Sequence, residues 1–162
     1  MLRPGDKVPD FVLPVGYPDG RREDVAFASL LGRGPIVISF FPLAFTRVCT
    51  TQMCDMRDHA SMLDAHAAQV FGFSCDSKWT NAKFAAQENM KHGIFSDANR
   101  HVVDALWETQ TTAGVERVPK RGWMVIDPQG VVVDLHVTDV PGDPWVGTKT
   151  IEAALAKVPS PR

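Results

Sequence analysis

Two short stretches of the chain are apolar at nearly every position. "PIVISFF" (Pro35 to Phe41) and "QVFGFSC" (Gln69 to Cys75) are dominated by β-branched and aromatic residues, which is how strands buried on both faces read. Between them, from about Thr50 to Ala68, the apolar positions space out. Met53, Met56, His59 or Ala60, and Leu63 recur every three or four residues, the period of a helix with one covered face. Upstream, "FVLPVGYPDG" holds a short extended piece followed by a turn at Pro18-Asp19-Gly20. "VAFASLLGRG" predicts a short helix ending at Gly32 or Gly34. Beyond the polar turn Asp76-Ser77, "TNAKFAAQENM" predicts a helix with Thr80 as N-cap, and another short helix is expected around Val102 to Trp107. "GWMVIDPQGVVVDLHV" places two apolar runs around Asp127-Pro128-Gln129-Gly130, the signature of a β-hairpin. A final amphipathic helix is expected from about Lys149 to Val158. The alternation of strand and helix, closed by hairpin and helix, predicts an α/β layer fold with a mixed sheet.

The chain has 162 residues, without internal repeat, low-complexity tract or linker, which predicts one domain spanning 1–162. Its 44% hydrophobic and 22% charged residues are those of a globular protein rather than a disordered one. Seventeen basic residues against nineteen acidic ones, with no long basic run, argue against a nucleic acid or an anionic membrane as partner. No stretch approaches the roughly 18–20 apolar residues of a membrane span. The N-terminus shows no apolar h-region before a small-residue cleavage site, so a cytoplasmic protein is expected. In that compartment three cysteines argue against a disulfide framework and for reactive, metal-bound or buried thiols.

Two of the three cysteines, Cys49 and Cys54, fall in "FFPLAFTRVCTTQMCDMRD". Cys49 follows the first buried strand and a short loop, and so lies in the first turn of the next helix. Unpaired N–H groups and partial positive charge at a helix N-terminus stabilise an anion there, and the thiolate is the nucleophilic form of cysteine. Pro42 turns the backbone at the strand end and shields the site from water. Thr46 offers a hydroxyl able to donate to the thiolate or to an incoming oxygen, and Arg47 adds positive charge. Any single cysteine is most simply a small buried hydrophobe; for Cys49 the strand–loop–helix setting argues for reactivity, whereas Cys75, at a strand end, reads as core. Positions i and i+5 of an intact helix have Cα atoms roughly 8–9 Å apart, beyond the roughly 7 Å limit of a disulfide. A static Cys49–Cys54 bond is therefore disfavoured, while a transient one formed by local unwinding stays open. A metal site built from Cys49, Cys54 and His59 lacks a CxxC pair or a second ligand cluster.

"PLAFTRVC" matches Pro-x-x-x-Thr-x-x-Cys, and on this motif the chain resembles the peroxiredoxins, thiol-dependent peroxidases with a thioredoxin-like fold. The motif is specific, because three residue types must fall at fixed spacing just after a buried strand. The resemblance extends through "GDKVPDFVLP", "FSCDS", "FSDANR" and "RGWMVIDPQGVV" in family order. "FFPLAFT" and "MRDH" are similar to the alkyl hydroperoxide reductase E group, and "CTTQMC" to the bacterioferritin-comigratory (peroxiredoxin Q) group. The resemblance implies a thioredoxin-like α/β fold, with a central mixed sheet flanked by helices. It implies that Cys49 is the peroxidatic cysteine, with Pro42 and Thr46 lining its pocket and Arg121 (Arg117 being a rival) holding the thiolate and polarising the peroxide. Cys54 would be the resolving cysteine.

In the implied cycle the Cys49 thiolate attacks a peroxide oxygen, water or an alcohol leaves, and Cys49 becomes a sulfenic acid. Cys54 then condenses with it, and an external dithiol of the thioredoxin, glutaredoxin or mycoredoxin kind reduces the disulfide. Neither metal nor organic cofactor is required, and the expected state is monomer or homodimer. The alternatives are a one-cysteine cycle reduced directly by an external thiol and a sensor that relays oxidation to a partner protein. A general thiol–disulfide oxidoreductase would use a CxxC that the chain lacks. Three departures from the family pattern stand out. Gln52 occupies a position usually held by Glu, so a charge partner for the arginine is lost. Arg47 and Val48 replace small residues, and Trp123 fills a usually smaller strand position.

Overall fold

The computed structural model describes residues 1–138 and 145–159. The chain opens with an antiparallel hairpin, β1 (Val12–Gly16) and β2 (Arg22–Ala26), closed by the expected turn. A single 3-10 turn, Phe27–Leu30, follows where a short helix was expected, and Val25 and Ala26 belong to β2 instead. Next come β3 (Ile36–Phe40), α1 (Arg47–Asp58), α2 (Ala60–Ala65), β4 (Gln69–Ser74) and α3 (Lys78–Gln87). The remaining elements are β5 (Gly93–Ser96), α4 (Val103–Leu106), β6 (Thr109–Thr112), β7 (Val115–Pro119), β8 (Gly122–Ile126), β9 (Val132–Val137) and α5 (Lys149–Leu155).

Seven strands form one sheet in the order β2-β1-β5-β4-β3-β8-β9, and β6 pairs β7 separately. β3, β4 and β5 run parallel, whereas β8 joins β3 and β1 joins β5 antiparallel, so the sheet is mixed. All five residues of β3 are buried, because the sheet is covered on both sides. Side chains of a strand alternate between faces. Ile36, Ile38, Phe40, Phe71 and Phe73 join a cluster with Phe27, Val103, Leu106 and Trp107. Val37, Phe41, Trp123 and Val125 join the opposite one, with Met53 and Met56 of α1, Phe84 of α3 and Ile151 of α5.

Two boundary expectations need correction. The helix predicted from Thr50 begins at Arg47 and breaks at His59, whose backbone (φ −103°, ψ 16°) leaves helical geometry between α1 and α2. The N-cap of α3 is Ser77, not Thr80: the Ser77 Oγ accepts from the Thr80 N–H at 3.1 Å. Such a cap satisfies a helix N–H that would otherwise lack a partner. Ser77→Ala is accordingly expected to lower stability by about 1 kcal/mol, read as a shifted urea midpoint with unchanged slope.

Candidate active site

The site assembles where β3 ends. The ladder to β4 continues one residue past the strand, with the Phe41 N–H donating to the Phe73 carbonyl at 3.1 Å. Pro42 has no N–H and stops it. The loop that follows is tightly held: the Ala44 N–H donates to Asp76 Oδ2 at 2.9 Å, and the Phe45 ring packs on Phe84 with centroids 5.0 Å apart. Phe45 sits at φ 65°, a conformation a bulky residue keeps only when its surroundings over-determine it. This bend sets α1 directly above the strand end, with Cys49 as the third residue of the helix.

Cys49 is fully buried. Arg121, immediately before β8, reaches it with both terminal nitrogens, Nη1 at 3.4 Å and Nη2 at 3.5 Å from Sγ. The same Nη1 donates to Gln52 Oε1 at 2.7 Å. Gln52, itself fully buried, donates through Nε2 to Ser39 Oγ at 2.7 Å and to the Phe40 carbonyl at 2.9 Å. A guanidinium only donates and a carbonyl only accepts, so this amide fits in one orientation. Gln52 therefore retains the hydrogen bond to the arginine without a carboxylate's charge. Among the described residues no carboxylate pairs with that guanidinium, and its charge faces the Cys49 sulfur through a low-dielectric interior. Gln52→Leu would strip an acceptor from Arg121 and donors from Ser39 and Phe40. It is expected to lower stability by about 1–3 kcal/mol and to slow the reaction with peroxide, checked by urea unfolding and single-turnover kinetics.

Close packing behind the arginine fixes its position. A Cβ on Gly122 would lie 2.0 Å from the His136 carbonyl oxygen and 2.7 Å from Trp107 Cζ2, so only glycine lets β8 approach there. Trp107 Nε1 donates to the Lys120 carbonyl at 2.9 Å, and the Thr138 N–H donates to the Arg121 carbonyl at 2.8 Å. Arg117, the rival, is half-exposed; it pairs with Asp104 and donates to the Arg100 carbonyl at 3.1 Å. Trp123 is accommodated inside the core, where its Nε1 donates to Thr150 Oγ1 at 3.0 Å.

Thr46 lies at the N-cap of α1 without capping it by its side chain. Its hydroxyl donates to the Leu43 carbonyl at 2.8 Å. The proton expected for the thiolate is thus committed to the loop, and the oxygen's lone pairs stay available as acceptors.

The other cysteines occupy different environments. Cys54 lies on the α3 flank of α1, where its thiol donates to Glu88 Oε2 at 3.4 Å. Burial and then the Glu88 carboxylate push its pKa up, so in this conformation Cys54 is held as a thiol. Cys75 packs against the cluster on the opposite face of the sheet from Cys49. Burial first, then Asp97, pushes its pKa up to about 12. Sequence reasoning missed Asp55, the residue after Cys54. Its Oδ2 accepts from Trp145 Nε1 at 2.7 Å and from the Thr148 N–H and Oγ1 at 2.6 Å each. Burial alone would raise the pKa of this carboxyl, but the bonds from Thr148 and Trp145 and the nearby His59 together lower it. No local pattern marks a partner about ninety residues away.

Two clefts, of about 730 Å³ beside Gly34, His66 and Pro128 and about 430 Å³ beside Tyr17, Leu63 and His92, do not include Cys49. Among the described residues, no group of three or more His, Cys, Asp or Glu side chains is placed to hold a metal ion. No helix among them is long and apolar enough to cross a membrane.

The family model described as AhpC/TSA matches residues 4–135. A Mycobacterium tuberculosis (strain ATCC 25618 / H37Rv) protein, provisionally named a peroxiredoxin, is 34% identical over 83% of this chain and 84% of its own length. Chicken (Gallus gallus) peroxiredoxin-1 is 28% identical over 85% of this chain and 70% of its own. Among solved structures, the peroxidoxin BcpB of M. tuberculosis superposes with a TM-score of 0.82 at 29% identity, covering 99% of this chain and 100% of that one. Enterococcus faecalis AhpC shares the fold, with a TM-score of 0.84 at 21% identity over 96% and 92% of the two chains. The chain thus has the thioredoxin-like fold and belongs to the AhpC/TSA family: it is a peroxiredoxin of the bacterioferritin-comigratory type, a thiol-dependent peroxidase.

Proposed function

We propose that Cys49 is the peroxidatic cysteine, acting on hydrogen peroxide and organic hydroperoxides, and that Cys54 resolves it. The observation that supports this most is the two-pronged contact of Arg121 with Cys49 Sγ at 3.4 and 3.5 Å. The guanidinium holds the thiolate and also lies near the O–O bond as it breaks. In the attack, the sulfur lone pair forms an S–O bond to one peroxide oxygen, and the O–O pair moves to the other oxygen. That oxygen takes a proton and leaves as water or an alcohol, and Cys49 is left as sulfenic acid. Donors aimed at the charge that develops on the leaving oxygen lower the barrier. Thr46 accepts a hydrogen bond from the peroxide O–H, and Pro42 shields the sulfur from water. The close covering of Cys49 suits a substrate with a small reacting end.

For resolution, the Cys54 sulfur attacks the Cys49 sulfur. An S–S bond forms, the S–O bond breaks, and hydroxide leaves with the thiol proton as water. A dithiol protein of the thioredoxin, glutaredoxin or mycoredoxin kind then reduces the disulfide. The protein works as one domain, cytoplasmic, as a monomer or homodimer. The Glu88 bond that holds Cys54 as a thiol favours, as a second reading, a one-cysteine cycle in which an external thiol reduces Cys49 directly.

Mixing reduced protein with one equivalent of hydrogen peroxide, quenching with an alkylating agent and mapping each cysteine by mass tests these readings. Rapid loss of free Cys49 followed by a Cys49–Cys54 disulfide is the expected result. A sulfenic acid that persists on Cys49 beside free Cys54 would select the one-cysteine cycle. Oxidation of Cys49 no faster than that of Cys75 would remove the peroxidatic assignment.

A further inference from the structure

We propose that Asp55 is a positioning residue for resolution: its carboxylate pins the Cys54 end of α1 to the segment before α5, and release of this pin sets how fast Cys54 reaches Cys49. The proposal rests on the two-cysteine reading above. Residues five apart on a helix project about 140° from one another, so the turns between Cys49 and Cys54 must leave helical geometry before the two sulfurs meet. What opposes that unwinding is therefore what limits the step.

The contacts along α1 are unequally distributed. At the Cys49 end the ties, Arg121 and Gln52, belong to the chemistry itself. At the Cys54 end, the α3 flank is held by the long Cys54–Glu88 contact of 3.4 Å and by Arg57 Nη1 donating to the Glu88 carbonyl at 2.7 Å. On the other flank Asp55 Oδ2 gathers three donors within 2.7 Å, from Trp145 and Thr148. Its Oδ1 lies 3.1 Å from His59 Nδ1, where α1 ends. Hydrogen bonds to a charged acceptor are about twice as strong as neutral ones. Thr148 is fully buried and fixed by the start of α5, which packs on β8 and β9. Asp55 thus anchors the residue next to Cys54 to the body of the sheet. It has no hydrogen bond to Cys49, Arg121, Gln52 or Thr46, so the peroxide step does not depend on it.

Asp55→Ala, Thr148→Val and Trp145→Phe remove three, one and one of the donated bonds. Each variant is reduced, mixed with hydrogen peroxide, rapidly quenched and mapped by mass, which separates sulfenic acid formation from disulfide formation. Asp55→Ala is expected to raise the rate of disulfide formation tenfold or more, and the other two several-fold, with sulfenic acid formation within twofold of wild type in all three. Ser77→Ala is the control for general loosening, since it destabilises α3 without touching the pin and is expected to leave both rates unchanged. Unchanged or slower disulfide formation in Asp55→Ala would overturn the proposal while the relay stands. Equal acceleration in Ser77→Ala would overturn it as well, because global stability would then explain the effect. If wild type forms no Cys49–Cys54 disulfide, the relay reading fails and the proposal with it.

Discussion

Arg121→Met protein is expected to react with hydrogen peroxide about 10²- to 10³-fold more slowly than wild type. In the proposed mechanism the side chain contributes twice. Before attack, its two terminal nitrogens lie 3.4 and 3.5 Å from Cys49 Sγ and donate to it. During attack, negative charge passes from sulfur to the leaving oxygen, and a fixed guanidinium meets it without having to reorient. Cys49 is fully buried, so water neither screens the charge nor replaces the lost donors. Deleting one preorganised donor in such a setting costs about 3–4 kcal/mol, which is the stated factor. Methionine leaves Gln52 Oε1 without its 2.7 Å partner as well. Arg121→Lys is expected to recover only part of the rate: an ammonium keeps the charge but cannot fork between Cys49 and Gln52 as the planar guanidinium does. Second-order rate constants from single-turnover mixing, with thermal unfolding to confirm an intact fold, check both variants. A rate for Arg121→Met within threefold of wild type would remove Arg121 from the chemistry.

How much of this was legible in the sequence depends on where each signal lay. The central strands β3 and β4 were plain because a sheet covered on both faces demands continuous apolar runs. The strand–loop–helix placement of Cys49 followed from those runs and the helical spacing after them. Elements whose residues face solvent were not legible. β2, "REDVA", is an edge strand with its first three residues exposed, and polar edge strands lack the alternation that marks a half-buried one. The β6–β7 ribbon turns at Ala113 and Gly114, with φ 50° and 75°. That is the left-handed pair of a tight hairpin, but with alanine in place of the Asn or Asp that would have announced it. The Ser77 cap of α3 was misplaced by three residues because Ser77 and Thr80 offer the same hydroxyl chemistry, and only geometry shows which oxygen accepts.

The site divides in the same way. Pro42, Thr46 and Cys49 stand close together in the chain, and so could be read as one motif. Gln52 could be read as the loss of a charge partner for the arginine, but a sequence does not show that its amide oxygen keeps the hydrogen bond to Arg121. The Asp55 pin depends on Trp145 and Thr148, which reach α1 only after the whole sheet has formed.

A last expected result concerns stability and comes from a residue outside the reaction. His92 lies just before β5, 9% exposed, and its Nε2 is buried without a hydrogen-bond partner among the described residues. Burial lowers its pKa to about 4, against about 6.5 in an unfolded chain. Below pH 6.5 the unfolded chain therefore takes up a proton that the folded one refuses, and stability falls as the pH drops. The contribution is complete above pH 6.5, declines through the window down to about pH 4, and does not change further below it. A difference of about 2.5 between the two pKa values, at about 1.4 kcal/mol each, amounts to about 3–4 kcal/mol lost across that window. Asp55 acts elsewhere on the scale: its pKa is depressed, so its contribution is lost only below about pH 4. His92→Leu is expected to match or exceed wild-type stability at pH 7, because it also removes an unpaired buried nitrogen. Its urea midpoint should fall far less between pH 6.5 and 4.5 than that of wild type. Parallel loss of stability in the two proteins across that range would show that His92 takes up its proton in the folded state after all.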